Sequence, residues 1–317
     1  MSLAADLRIA TRSLARTPGF TALATSVLAL GVAAVVIIFA ILWEVSYEPP
    51  PLPDSERVVG VKVIDRSLNN LDNSASTQDF ADWQRMQDVF TDMAGYYDGT
   101  VTVSGEGAAE RYSGGFVTGS FFSVVGIAPM LGKSIGPRDA LPNAAPVVVL
   151  GYDLWRNRFG ADPAVIGRSL KVNGQVAEII GVMGEKYPYP AGAQLWVPSR
   201  EPYDTGVRGE DNFFDVLARL KPGVDIEQAQ VQMSLVGARL AQQYPQSNAG
   251  LEPDVLPAAL ATTGRDDQRL FQVLFLSVFL VLIIACVNVS GLMLVRATGR
   301  TQEAGIRRAI GRGGAGG

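Results

Sequence analysis

The chain has 317 residues, with 27 Lys and Arg against 31 Asp and Glu, no histidine, and one cysteine, Cys286. These counts exclude a disulfide framework, zinc sites built on His or paired Cys, Ser-His-Asp and Cys-His nucleophiles, and histidine acid-base chemistry. The length predicts more than one folded unit.

Residues 1–18 read as a cytoplasmic amphipathic helix. Arg8, Arg12 and Arg16 recur every four residues on one face, and Leu3, Leu7, Ala10 and Leu14 form the opposite stripe. Pro18 and Gly19 break this helix from the next, so it lies in the membrane plane. Residues 19–45 predict a first transmembrane helix. The 25 residues from Gly19 to Trp43 carry no charge, and at ~1.5 Å per residue they exceed a hydrocarbon core of about 30 Å. Thr21, Thr25, Ala29 and Ala33 repeat every four residues, a small-residue stripe expected to pack against another helix. Pro49, Pro50, Pro51 and Pro53 then form a stiff spacer.

Residues 46–269 predict an α+β domain outside the membrane. Arg57 to Ile64 is β-branched and reads as a strand; Ser76 with Asp79 caps a helix carrying Phe80, Trp83 and Phe90. Val101–Ser104 and Arg111–Val117 suggest a hairpin through Gly105 and Gly107. A second group starts with the strand Pro146–Leu150 and a helix with Leu154, Trp155 and Phe159; Asn173-Gly174 then joins Ser169–Val172 to Gln175–Val182. The third group repeats the first pattern. Phe213–Leu220 is a strand, Asp225 with Gln228 caps a helix whose Ala229, Met233, Val236 and Leu240 form one buried stripe, and Glu252–Leu256 is a further strand. This order predicts an α/β half near the membrane, about 54–125 and 212–260, split by a mostly β insertion at about 126–211.

A second uncharged run gives a transmembrane helix over 270–295, in which Asn288 is expected to hydrogen-bond a neighbouring helix. The basic residues before the first span and after the second place both termini in the cytoplasm and residues 46–269 in the periplasm. The remainder is acidic, which does not suit nucleic acid.

No residue set supports catalysis. Gly126 to Ser134 resembles a phosphate loop, but five residues rather than four separate its glycines and Pro129 removes a donor. Asp79 with Asp82, and Asp266 with Asp267, read as capping or surface charge. Trp83, Tyr96, Tyr97, Phe121, Phe122, Trp155 and Trp196 read as core rather than a ligand platform.

Seven stretches in order carry a family resemblance: residues 12–20 (RSLARTPGF) with 28–32 (LALGV), 119–132 (GSFFSVVGIAPMLG), 149–167 (VLGYDLWRNRFGADPAVIG), 180–183 (IGVM) with 195–198 (LWVP), 218–229 (ARLKPGVDIEQA), 285–296 (ACVNVSGLMLVR) and 300–311 (RTQEAGIRRAIG). The chain resembles the permeases of the MacB/FtsX-like ABC transporters, in particular orphan permeases of the acidobacterial type. The resemblance implies a membrane subunit of the bacterial inner membrane. Such a subunit pairs as a homodimer or with a related permease, works with an ABC ATPase subunit and a periplasmic partner, binds no cofactor itself, and converts ATP hydrolysis by that ATPase into periplasmic movement. Family members of this type carry four spans, whereas this chain shows two, so the resemblance leaves open a natural two-span protein, a truncated reading frame or a piece of a longer subunit.

The resemblance also implies that the cytoplasmic segment 296–317, with its Gly-rich tail, docks into the ATPase. Glu303 and Arg307 pair along a short helix, Ile306 and Ile310 occupy a neighbouring face, and Arg308 adds charge. Two other readings compete. A two-span sensory receptor has the same layout but should continue into a heptad helix after its second span. A periplasmic scaffold without a cytoplasmic partner would not need the Arg-Glu pattern of the tail.

Overall fold

The computed structural model describes residues 18–46, 51–66, 70–105, 107–185, 189–190, 192–203, 205–210, 213–261 and 264–311. The expected amphipathic helix with Arg8, Arg12 and Arg16, and Pro49 and Pro50 of the spacer, lie outside them. So do the side chains of Asp266 and Asp267. The chain divides into two compact units, Val45–Gln268 and Met1–Glu44 with Arg269–Gly317.

The second of these contains two long helices, α1 (Pro18–Ser46) and α7 (Gly264–Gly311). Thr21–Trp43 and Gln268–Gly291 are each long and apolar enough to cross a membrane. On α1 the more covered positions Ala24, Leu28, Gly31, Val35 and Ile38 alternate in steps of four and three, as do Phe271, Phe275, Val278, Leu282 and Ala285 on α7. This is the seam of two helices side by side. Phe39 meets Phe275 with ring centroids 5.9 Å apart, and a Cβ on Gly31 would lie 2.9 Å from Leu282 Cδ1. The helices therefore run antiparallel, with Gly31 admitting the leucine.

The unit Val45–Gln268 is built on one sheet. In chain order its elements are β1 (Val58–Asp65), β2 (Asn70–Asn73), β3 (Ala75–Ser76), α2 (Thr77–Met86), β4 (Phe90–Gly105), β5 (Gly107–Val117) and α3 (Phe121–Val125). Next come β6 (Leu131–Gly132), β7 (Val147–Leu150), α4 (Tyr152–Phe159), β8 (Ser169–Val172), β9 (Gln175–Val182) and β10 (Leu195–Pro198). The last are β11 (Phe213–Leu220), α5 (Ile226–Gln243), α6 (Pro245–Asn248) and β12 (Leu251–Pro257). The strand order is β12-β1-β11-β4-β5-β10-β7-β9-β6, with β2 on β1, β3 on β11, and β8 on both β4 and β9. The fold is thus α+β. The strands of 126–211 extend the same sheet through the parallel pair β5–β10 and the antiparallel pair β4–β8 rather than forming a sheet of their own.

Local sequence accounts for most of these elements. Ser76 Oγ accepts from Asp79 N at 3.1 Å to start α2. Asp225 and Gln228 form a reciprocal capping box on α5. Asn173 and Gly174 take φ of 47° and 82°, the left-handed pair that a two-residue hairpin turn requires. Phe90, expected on α2, instead opens β4. The helix stops at Met86, and Gln87 Oε1 accepts from Phe90 N at 2.8 Å, which turns the chain into the strand. The β4–β5 hairpin is correspondingly longer than the apolar runs predict.

Three cores result. On one face α2 and α5 press Phe80, Trp83, Met233, Val236 and Leu240 onto Val59, Val61 and Val63 of β1. On the other, Phe121, Trp196 and Tyr96 gather around Val58 and Leu217. The third joins Val101 and Val103 to Leu154, Ile179 and Leu195. The alternation of Val58 with Val59 between cores is the strand period of two.

Candidate functional site

The chain enters the Val45–Gln268 unit through β1 and leaves it through β12, and these strands are hydrogen-bonded neighbours. Seven antiparallel pairs join them, from Val59 with Pro257 to Asp65 with Leu251. The incoming and outgoing segments beside them form the candidate site.

Three contacts hold the incoming segment. Leu52 is buried in the same core as Val58. Arg219 on β11 donates to Pro53 O from Nη2 at 3.2 Å and to Val124 O at 2.8 Å, which clamps the proline spacer onto the last turn of α3. Arg57 donates to Leu220 O from Nε at 3.1 Å and from Nη2 at 2.7 Å. Desolvation, with Arg57 nearby, lowers the Arg219 pKa. The guanidinium stays charged, so these remain charge-assisted bonds to backbone carbonyls.

The outgoing segment leaves β12 in a 3-10 turn, Ala258–Leu260, and Ala258 and Ala261 are buried in the core that also holds Leu52. Gly60 of β1 makes this possible, because a Cβ there would lie 2.8 Å from Ala261 Cα. Glycine in a strand interior often marks such a close approach of backbone. Tyr189 Oη donates to Ala258 O at 3.2 Å; burial pushes its pKa up to about 12, which keeps the phenol a donor through the physiological range. Behind β12, Gln230 of α5 donates to Pro253 O at 2.9 Å and accepts from Val255 N at 2.7 Å. The strand leading to α7 is therefore laced on both sides.

The residues expected from sequence to act fall in two places, both on the long helices. Glu303, Ile306, Arg307, Arg308 and Ile310 lie on the helical backbone of α7, and their side chains are outside the described residues. The short separate helix expected there is instead the continuation of a 48-residue helix, since no proline interrupts 264–311. Thr21 is half-buried, whereas Thr25, Ala29, Ala33 and Asn288 are exposed. The α1–α7 seam uses the face of Gly31, so the small-residue stripe is left uncovered by α7.

The segment resembling a phosphate loop spends its amides on sheet pairing. Met130 N donates to Val182 O and Lys133 N to Ile180 O, both at 2.8 Å. Asp79 and Asp82 do more than cap: Arg208 bridges both carboxylates. Of the aromatics assigned to core, all but Tyr97 are buried; Tyr97 is 40% exposed. Among the described residues no group of three or more acidic or cysteine side chains is placed to hold a metal. Sequence reading missed Arg57, Gly60, Arg208 and Arg219. The signal available for Gly60 was an isolated glycine in a β-branched run; the arginines gave none, because their partners are remote in sequence, backbone carbonyls for Arg57 and Arg219 and the α2 carboxylates for Arg208.

Residues 21–235 match the family described as "MacB-like periplasmic core domain". Macrolide export ATP-binding/permease protein MacB of Chromobacterium violaceum is 28% identical over 229 residues, which is 68% of this chain and 34% of the relative. The protein of the same name from Escherichia coli (strain K12) is 28% identical over 204 residues, covering 62% of this chain and 30% of the relative. This chain therefore spans about a third of the length of these curated relatives. A solved domain described as belonging to a permease protein of Porphyromonas gingivalis superposes with a TM-score of 0.50 at 17% identity, covering 66% of this chain and 92% of that domain. That likeness is one of fold.

Proposed function

This chain belongs to the MacB-like periplasmic core domain family, and we propose that it is the membrane component, or the N-terminal part of one, of an ABC transporter. In this role it passes ATP hydrolysis by a partner ATPase in the cytoplasm to a periplasmic domain that moves. The observation that carries the proposal is the pairing of β1 with β12. β1 and β12 are joined by seven residue pairs, and Leu52 before β1 shares a core with Ala258 and Ala261 after β12, so a displacement carried in by either side would load the same edge of the sheet. A sheet edge held by close packing transmits strain instead of absorbing it.

The remaining assignments rest on that role. α1 and α7 cross the inner membrane with both termini in the cytoplasm, and residues 46–269 face the periplasm. The α7 extension docks into the ATPase, with Ile306 and Ile310 in an apolar groove and Arg307 and Arg308 against acidic residues, while Glu303 pairs with Arg307 along the helix. The ATP chemistry lies in the partner. The experiment is a reconstitution of the full transporter in nanodiscs with its ATPase, with spin labels on α5 of the paired copies. ATP should change the label distance, and Ile306→Asp should abolish both ATPase co-purification and that change. An unchanged distance while ATP is hydrolysed would rule out transmission.

The exposed stripe Thr25, Ala29 and Ala33 is proposed to seat a helix of a second copy or of further spans. Small residues allow the close backbone approach on which packing in lipid depends. Replacing Ala29 and Ala33 together with Leu should reduce intermolecular crosslinking between α1 helices by about tenfold. Equal crosslinking in the double variant would exclude the stripe.

A further inference from the structure

A second feature of the Val45–Gln268 unit is unrelated to the junction. β4 and β11 pair as far as Tyr96 with Asp215, and there they part: β4 continues along β5 with Tyr97 opposite Phe116, while Phe214 and Phe213 of β11 pair with Ala75 and Ser76 of β3. The split opens a wedge in the sheet, a cleft of about 340 Å³. That volume lies in the range of about 300–1,000 Å³ typical of small-molecule sites.

The walls are aromatic and built in place. Tyr97 stacks on Phe116 with centroids 4.7 Å apart and planes 3° from parallel, and it lies 6.1 Å from Phe214 on a 25° tilt. Glycines make room for these rings. A Cβ on Gly95 would come within 2.6 Å of Phe214 Cδ2, and one on Gly99 within 3.0 Å of Phe116 Cε2. From the segment 199–205, Tyr203 inserts edge-on against Phe214 at 5.5 Å and Phe80 at 5.8 Å. That segment is pinned at both ends, by Ser199 N donating to Val117 O at 2.7 Å and by Gln78 Nε2 donating to Thr205 O at 2.7 Å. Two of the lining rings remain open to solvent, Tyr97 at 40% and Phe213 at 44% exposed, so the cleft presents apolar surface without filling it.

Among the described lining residues, Arg200 carries a charge. Its Nη1 donates to Asp139 O at 3.0 Å and Leu141 O at 2.9 Å. These acceptors are neutral, and among the described residues no carboxylate forms an ion pair with it, although the charge of neighbouring Glu201 is felt at Tyr203 in the same cleft. Tyr97, Thr77, Ser199 and Thr205 add hydroxyl groups; burial raises the pKa of Tyr97, and burial with the nearby Glu201 charge raises that of Tyr203, so both phenols stay neutral, that of Tyr203 donating to Ser199 O.

We propose that this cleft is a binding site for a flat, apolar small molecule bearing an acidic group, with the ring system against Tyr97, Phe213 and Phe214 and the anion at Arg200. Aromatic walls favour ring-shaped partners through offset and edge-on contact, and a guanidinium not ion-paired to a carboxylate is a ready anion partner.

The test uses the full chain in nanodiscs, with empty nanodiscs as background, and two probes of the same ring system, naphthalene-2-sulfonate and naphthalene-2-methanol. Calorimetry should give one saturable site per chain, with the sulfonate bound about tenfold more tightly than the alcohol and the preference shrinking as salt rises. Tyr97→Ala and Phe213→Ser, both at exposed positions, should weaken both probes about tenfold. Arg200→Gln should remove the preference for the sulfonate and leave alcohol binding unchanged. Binding no greater than that of empty nanodiscs, or binding equal to wild type in both aromatic variants, would overturn the site. Equal affinity of wild type for the two probes would overturn the assignment of the anion to Arg200, whether or not Arg200→Gln folds.

Discussion

Arg208→Ala should lower the stability of the Val45–Gln268 unit by about 3 kcal/mol and its melting midpoint by roughly 6–12 °C. Arg208 bridges Asp79 and Asp82 on α2, and its guanidinium lies 4.0 Å above the ring of Tyr244 at the end of α5. Asp79 is buried with its side chain 5% exposed. Without the arginine its carboxylate keeps the Ser76 hydroxyl and Asn248 Nδ2, each at 2.7 Å, but loses its counter-charge. Removing one partner of a buried pair costs about 3–5 kcal/mol, and the two surviving hydrogen bonds place this case at the lower end. Asp82 is less affected, since Arg85 stays 2.7 Å away. Arg208→Lys should recover only part of the loss, because an ammonium cannot bridge two carboxylates and stack on a ring at once. Thermal denaturation of the full chain measures both, and a midpoint for Arg208→Ala within about 2 °C of wild type would refute the clamp.

The second large effect is expected at Gly60. Gly60→Val puts a branched side chain where even a Cβ would stand 2.8 Å from both Cα and Cβ of Ala261. The near atoms include backbone, so the outgoing segment has to lift from β1, and Ala258 and Ala261 leave the core they share with Leu52. Overpacking of this kind costs about 1–3 kcal/mol. The sharper consequence is mechanical. Amides at 258–261 should lose exchange protection in the variant, and under the proposed transmission role, ATP-driven movement of the domain should fall while the proposed ATPase partner still binds. Protection at 258–261 equal to wild type would show that Gly60 is not what holds the junction together.

These two sites show where sequence reading stops. The capping of α2 and α5, the turn at Asn173-Gly174, and the buried stripe Ala229, Met233, Val236 and Leu240 were all legible, because each depends on residues within a few turns of chain. The apolar runs of α1 and α7 were legible for the same reason, since length and lack of charge are properties of one segment. Phe90 was misplaced on α2 because its spacing from Phe80 and Trp83 fits a helix. The side chain of Gln87 ends that pattern by capping the start of β4.

What the chain determines by local sequence is therefore its elements, their order, its two apolar helices and the absence of histidine and paired-cysteine chemistry. Tertiary structure alone decides that β1 and β12 lie side by side, that Arg219 reaches Pro53 and Arg208 reaches Asp79, and that β11 leaves β4 to open the aromatic cleft at Tyr97. Each of these joins groups more than a hundred residues apart, or depends on which strand pairs with which. Burial, hydrogen-bond demand and steric room at such places are set by the partner and not by the residue, so composition and spacing carry no trace of them.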